Sequence, residues 1–110
     1  MEIIQKTSNT VEVFKVNGRL DSNTSDLLKE KLDQILENGT TQVVIDFEHL
    51  DYISSAGIRV ILRTVKVLKR TQGNLVLCSL QDYVREVFEI AGFDGYLTIE
   101  QNLDRALQVV

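Results

Sequence analysis

The residues best suited to chemistry in this 110-residue chain lie in DFEHLDYISSAGIRVIL, Asp46 to Leu62, where an apolar strand-like run passes into a helical pattern through two adjacent serines, Ser54 and Ser55. A hydroxyl at a helix start has two uses. It can accept a hydrogen bond from an orphan amide of the first turn, which is capping. It can also stand free as the acceptor of a transferred group, because the outward-facing amides and the helix dipole favour an added anion. Ala56 and Gly57 follow the serines, and such a run of small residues leaves the loop open to close approach by another molecule.

Asp21 and Asp46 end the predicted second and third strands, which would bring both carboxylates to the rim that carries Ser55. Each also suits the capping of a following helix or turn. His49 is the only histidine, is expected to be exposed in the loop, and has no companions with metal-ligand spacing. A nucleophile elbow would read Gly-x-Ser-x-Gly, but position 53 is isoleucine, and no G-x-x-x-x-G-K-S/T phosphate loop occurs. The expectation is therefore no enzyme and no cofactor.

The elements that must position these groups alternate along the chain. VEVFKV, Val11 to Val16, has the period-two pattern of a strand with one covered face, and MEII pairs with it through the polar turn KTSN. Leu27, Leu28, Leu32, Ile35 and Leu36 follow helical spacing up to Asn38-Gly39. QVVIDF and NLVLCSL are short continuous apolar runs, the mark of strands buried on both faces. Between them Ile58, Ile61, Leu62, Val65 and Leu68 form one helical stripe, while Arg59, Arg63, Lys66, Lys69 and Arg70 crowd the remaining surface. That basic face reads as a solvated helix surface or as a contact for an acidic partner. Val84, Val87, Phe88 and Ala91 mark a third helix, GYLTIE a last strand, and Leu103, Ala106, Leu107 and Val110 a closing helix. Tyr52, Phe47 and Phe93 are expected to pack onto the core.

The order ββαβαβαβα predicts an α/β sandwich over residues 1–110 as a single domain: a mostly parallel sheet with an antiparallel N-terminal strand and helices packed on it. With 44% hydrophobic and 25% charged residues, the chain suits one modest core. A net charge of -4 argues against a nucleic-acid binder, whose affinity would rest on neutralised phosphates. The N-terminus has neither the basic start nor the long apolar run of a signal peptide, and no run approaches a membrane span. Cys78 is the only cysteine and sits in a predicted buried strand, which fits a reducing cytoplasm.

The string VVIDFEHLDYISSAGIRVIL resembles the signature of the STAS domain family, typified by bacterial anti-sigma factor antagonists, and GRLD, Gly18 to Asp21, resembles the family's Gly-x-Leu-Asp at the end of its second strand. The element order and the late FEIAGFDGYLTI also match, so the resemblance spans nearly the whole chain. It implies a STAS-type fold and a partner-switching protein. The unphosphorylated form would bind an anti-sigma factor with serine kinase activity, phosphorylation of one serine would release it, and a serine phosphatase would restore binding.

By position relative to Gly57, the implied phosphoacceptor is Ser55, with Asp21, Asp46, Ser54, Ala56 and Gly57 around it and Asp21, Ser54, Ser55, Ile58 and Arg59 meeting the partner. Ser54 stands where many members have Asp and offers a neutral hydroxyl. The alternative within the family is an interaction or scaffold module of a signalling or lipid-transport complex, which needs no phosphate turnover.

Overall fold

The computed structural model describes residues 1–93 and 95–110; Asp94, inside the FEIAGFDGYLTI segment, lies outside them. The chain opens with the expected hairpin, β1 (Glu2–Ser8) antiparallel to β2 (Val11–Leu20). Its turn is Asn9-Thr10, not KTSN. β1 is an outer strand with solvent over much of its surface, so the polar run Gln5-Lys6-Thr7 needs no turn to leave the core. Asn9 takes the positive φ of 56° on which a two-residue hairpin loop depends.

There follow α1 (Ser25–Glu37), β3 (Gln42–Asp46), β4 (Leu50–Ile53), α2 (Ser55–Lys69), β5 (Asn74–Cys78), α3 (Asp82–Ile90), β6 (Thr98–Glu100) and α4 (Leu103–Val109). The sheet runs β1-β2-β3-β5-β6, with β4 paired to β2, and every pairing after the hairpin is parallel. This is the mixed α/β architecture read from the sequence, with one strand more.

Strand parity divides the core. Phe14, Val16, Val43, Ile45, Leu75 and Leu77 point to the face covered by α1, α2 and α3, where Leu28, Leu32, Ile61, Leu68, Val84 and Phe88 complete the larger cluster. The alternate residues Val11, Val13, Val44, Val76 and Cys78 meet Ala106 of the short α4 on the other face. Both sides of β3 and β5 are therefore dry, which is why those strands read as unbroken apolar runs. Cys78 is fully buried, and burial, with Asp46 nearby, pushes its thiol up to about 11.

The additional strand, β4, escapes sequence reading because its burial does not alternate: Leu50 and Ile53 are inside, while Asp51 and Tyr52 are both exposed. It exists because β2 is longer than β3. β2 pairs with β3 from Val11 to Lys15, then shifts register between Gly18 and Arg19 and pairs with β4 from Gly18 to Leu20. The extra residue of this bulge is Asp51 of β4; opposite it Gly18 stands at φ +93°, a backbone conformation that side chains resist, and donates its N–H to the His49 carbonyl at 2.8 Å.

Among the described residues no helix is long and apolar enough to cross a membrane, and no group of three or more His, Cys, Asp or Glu could hold a metal ion.

A Cβ on Gly18 would meet nothing nearer than Met1 Cα at 3.5 Å, so the cost of Gly18→Ala is backbone strain alone. We expect a loss of about 1–3 kcal/mol in urea unfolding, with faster amide exchange along β4.

Candidate functional site

The serines lie where β4 hands over to α2. Ser54 donates its N–H to the Leu20 carbonyl at 2.9 Å, which ties the exits of β2 and β4 together and brings Asp21 and Ser55 off the sheet at one edge. Ser54 is the N-cap of α2. Its backbone is extended, its Oγ accepts from the Gly57 amide at 3.4 Å, and its carbonyl accepts from Ile58 at 3.1 Å. Of the two uses of a serine at this junction, Ser54 thus takes capping.

Ser55, the first helical residue, is exposed, and its hydroxyl has no hydrogen-bond partner among the described residues. With the Gly57 amide turned to Ser54, the Ser55 and Ala56 amides are the first-turn donors left to face an added group. No acidic residue stands in that turn. Arg59 is exposed one turn on, at the i+4 spacing that brings Cβ atoms within about 5–6 Å.

Gly57 is small for an internal reason. A Cβ there would fall 2.8 Å from Leu20 Cγ and 3.1 Å from Ile53 Cγ1, side chains that are almost wholly buried. The glycine serves the approach of helix to strand, so the expectation that it opens the loop to a visiting molecule is corrected.

Asp21 Oδ1 accepts from the Asn23 amide at 2.9 Å, the Thr24 amide at 3.2 Å and the Thr24 hydroxyl at 3.2 Å, pinning the turn into α1. The Asn23 amide, aided by Thr24 and by Arg19, holds the carboxyl below its ordinary 3.8 against the opposing effect of desolvation. Its other oxygen, Oδ2, faces Arg19 Nε at 3.9 Å. The Arg19 guanidinium in turn lies 4.2 Å from the centre of the Tyr52 ring. Tyr52 was expected to pack onto the core like Phe47; it is 37% exposed instead, because both middle residues of β4 face out.

Asp46 does not join this cluster. Ile45 and Phe47 point to the three-helix face, so Asp46 points to the α4 face, where it lines a cleft with Lys6, Lys15 and Leu103 and accepts from the Glu48 amide at 3.0 Å. Ile58 is only 5% exposed and belongs to the core, so it offers a partner little more than an edge. Two cations of the basic face are already engaged: Arg63 bonds Asp33 of α1 at 2.7 Å, and Lys69 lies over the Tyr96 ring at 4.2 Å. His49 pairs with Glu48 at 3.0 Å, and β4, roughly 13 Å long at about 3.3 Å per residue, separates it from the serines.

One part of the surface was missed from sequence. A groove of about 300 Å³ between α2 and the end of α3 is lined by Ser55, Ile58, Arg59, Leu62, Ala91 and Phe93, and Ile90 beside it is 86% exposed. The available signal was that Ile90 falls outside the Val84, Val87, Phe88 stripe of its helix. Ala91, counted in that stripe, is exposed, and Phe93 is half-buried against the core.

Residues 2–106 match the family model of the STAS domain. BtrV of Bordetella bronchiseptica, provisionally named an anti-sigma factor antagonist, is 47% identical over 91 residues, covering 83% of this chain and 78% of its own. A crystal structure from Thermotoga maritima with the same provisional name superposes with a TM-score of 0.91 at 20% identity, covering 96% of this chain and 92% of that one. The Bacillus cell fate determinant SpoIIAA in its phosphorylated form superposes with a TM-score of 0.78 at 20% identity over 97% of both chains. The two superpositions support the fold.

Two outcomes are expected. Alanine at position 57 gains up to about 1 kcal/mol of helix propensity, but overpacking against Leu20 and Ile53 costs about 1–3 kcal/mol, so Gly57→Ala lowers the urea midpoint. Asp21 has a depressed pKa, so its support of the α1 turn is fully present above its ordinary 3.8 and is lost as pH falls through the lower folded value. Unfolding measured over a pH series should then show a shallower acid loss in Asp21→Asn than in the wild type.

Proposed function

The chain belongs to the STAS domain family, and from that premise we propose that it is an anti-sigma factor antagonist whose docking is switched off by phosphorylation of Ser55. The observation that carries this reading is the division of labour between the serines: Ser54 caps the helix, so the neighbouring exposed hydroxyl has no structural duty. The relatives named as antagonists support the role.

In this reading the partner is an anti-sigma factor that is also a serine kinase, a serine phosphatase reverses the modification, and the chain, itself without catalytic activity, works in the cytoplasm. The partner covers the rim and the groove beside it, meeting Ser55, Arg59 and the apolar edge formed by Ile90, Ala91 and Phe93. The carboxylate of Asp21, held ionised and fixed by the α1 turn, helps to present Ser55 to the kinase.

Phosphorylation adds about -1.5 to -2 charges and three acceptor oxygens. In the free protein the open amides of the α2 terminus and the Arg59 guanidinium compensate that charge. In the complex the same group must lose its water within a close-packed contact. A penalty of about 4 kcal/mol weakens binding roughly a thousandfold, which separates bound from free at cellular concentrations. No refolding is required.

The test is incubation with the cognate serine-kinase anti-sigma factor and ATP, with mass spectrometry of the loop and calorimetric titration of the complex. Wild type should gain one phosphate on Ser55, Ser55→Ala none, and Ser55→Asp should bind at least about tenfold more weakly, an added desolvated charge costing on the order of 1.4 kcal/mol or more. Phosphate appearing on Ser55→Ala would overturn the assignment. Tight binding without any phosphate transfer would favour the scaffold role.

A further inference from the structure

β1 is the outermost strand of the sheet, and among the described residues no strand pairs with its far edge. α4 packs on β3, β5 and β6, so the hairpin end of that face stays open: Ile4 is 38% exposed and lines a cleft of about 200 Å³ with Lys6, Val13 and Lys15. Exposed edges of this kind are templates for pairing with another strand.

The hairpin register says which groups the edge presents. The two-residue loop closes on the Ser8–Val11 pair, a hydrogen-bonded one, so Glu2, Ile4 and Lys6 turn their backbone groups toward β2. Ile3, Gln5 and Thr7 turn theirs outward.

We propose that this edge binds a second copy of the chain, β1 against β1 in antiparallel fashion, about a two-fold axis at Ile4. In that register Ile3 of each copy faces Gln5 of the other, and each such pair exchanges both N–H···O bonds with the groups that point outward. Ile4 meets Ile4 at the axis, in the pair type whose side chains lie closest. Glu2 of each copy faces Lys6 of the other, so the strand EIIQKTS is complementary in charge to its own reverse.

The neighbouring two-fold registers lose this match. An axis at Lys6 sets Lys6 against Lys6, one at Gln5 sets Ile4 against Lys6, and one at Ile3 sets Glu2 against Ile4. Glu2 also accepts from Asn17 Nδ2 at 3.0 Å, an exposed bond compatible with a cross-strand lysine. The pairing joins two sheets into one and requires neither Ser55 nor the anti-sigma partner.

Sedimentation equilibrium from micromolar to millimolar concentration tests it. The wild type should show a reversible monomer–dimer equilibrium. Lys6→Glu and Glu2→Lys alone should each weaken it roughly tenfold or more, since like charges replace two opposite pairs, and an equimolar mixture of the two variants should restore it. Gln5→Pro, which removes an outward N–H at a position where edge strands accept proline, should also weaken it. A wild type that stays monomeric at millimolar concentration, a Lys6→Glu protein that dimerises as well as wild type, or a mixture no stronger than its components would each overturn the proposal.

Discussion

The site depends on how closely the first turn of α2 lies against the end of β2. Leu20 is fully buried there, Ile53 nearly so, and Gly57 supplies the absent side chain that lets the helix backbone reach them. Once that approach is set, the Leu20 carbonyl takes the Ser54 amide, the Ser54 hydroxyl turns inward to cap, and Ser55 has no direction left but solvent. Serine and aspartate are comparable as N-caps, so Ser54 holds the cap without placing a charge beside the exposed Ser55 hydroxyl.

That arrangement separates the proposed switch from the fold. The core on the three-helix face is built from parity-selected apolar side chains, and Ser55 makes no side-chain bond within it. A modification at Ser55 therefore changes what the surface can touch while leaving the packing beneath it intact. The long β2 makes this possible. By extending past β3 it gains a second parallel partner, and β4, with Asp51 as the extra residue opposite Gly18 and Arg19, delivers the chain to the rim beside Asp21.

Much of this was legible in the sequence wherever burial follows a period. The helices α1 and α2 and the strands β2, β3 and β5 announce themselves because each presents a regular stripe or a dry run to the sheet. β4 does not, since its two middle residues both face out, and the Arg19–Tyr52 stacking that depends on its register was hidden with it. Asp46 was misplaced for a related reason: when both faces of a strand are apolar, the sequence does not say which face each residue joins. Gly57 was legible as important yet misread in kind, because Leu20, the side chain that comes nearest to it, lies on a strand distant in the chain.

The burial of Cys78 makes the molecule carry its own reporter of opening. A thiol pushed up to about 11 holds almost no thiolate at neutral pH, and a fully enclosed sulfur gives a reagent no path to it. Alkylation can then proceed only through excursions that uncover the face of β5 beneath α4, and its rate measures how often the native protein opens there. Being the sole sulfhydryl of the chain, it reads out that motion without any introduced label.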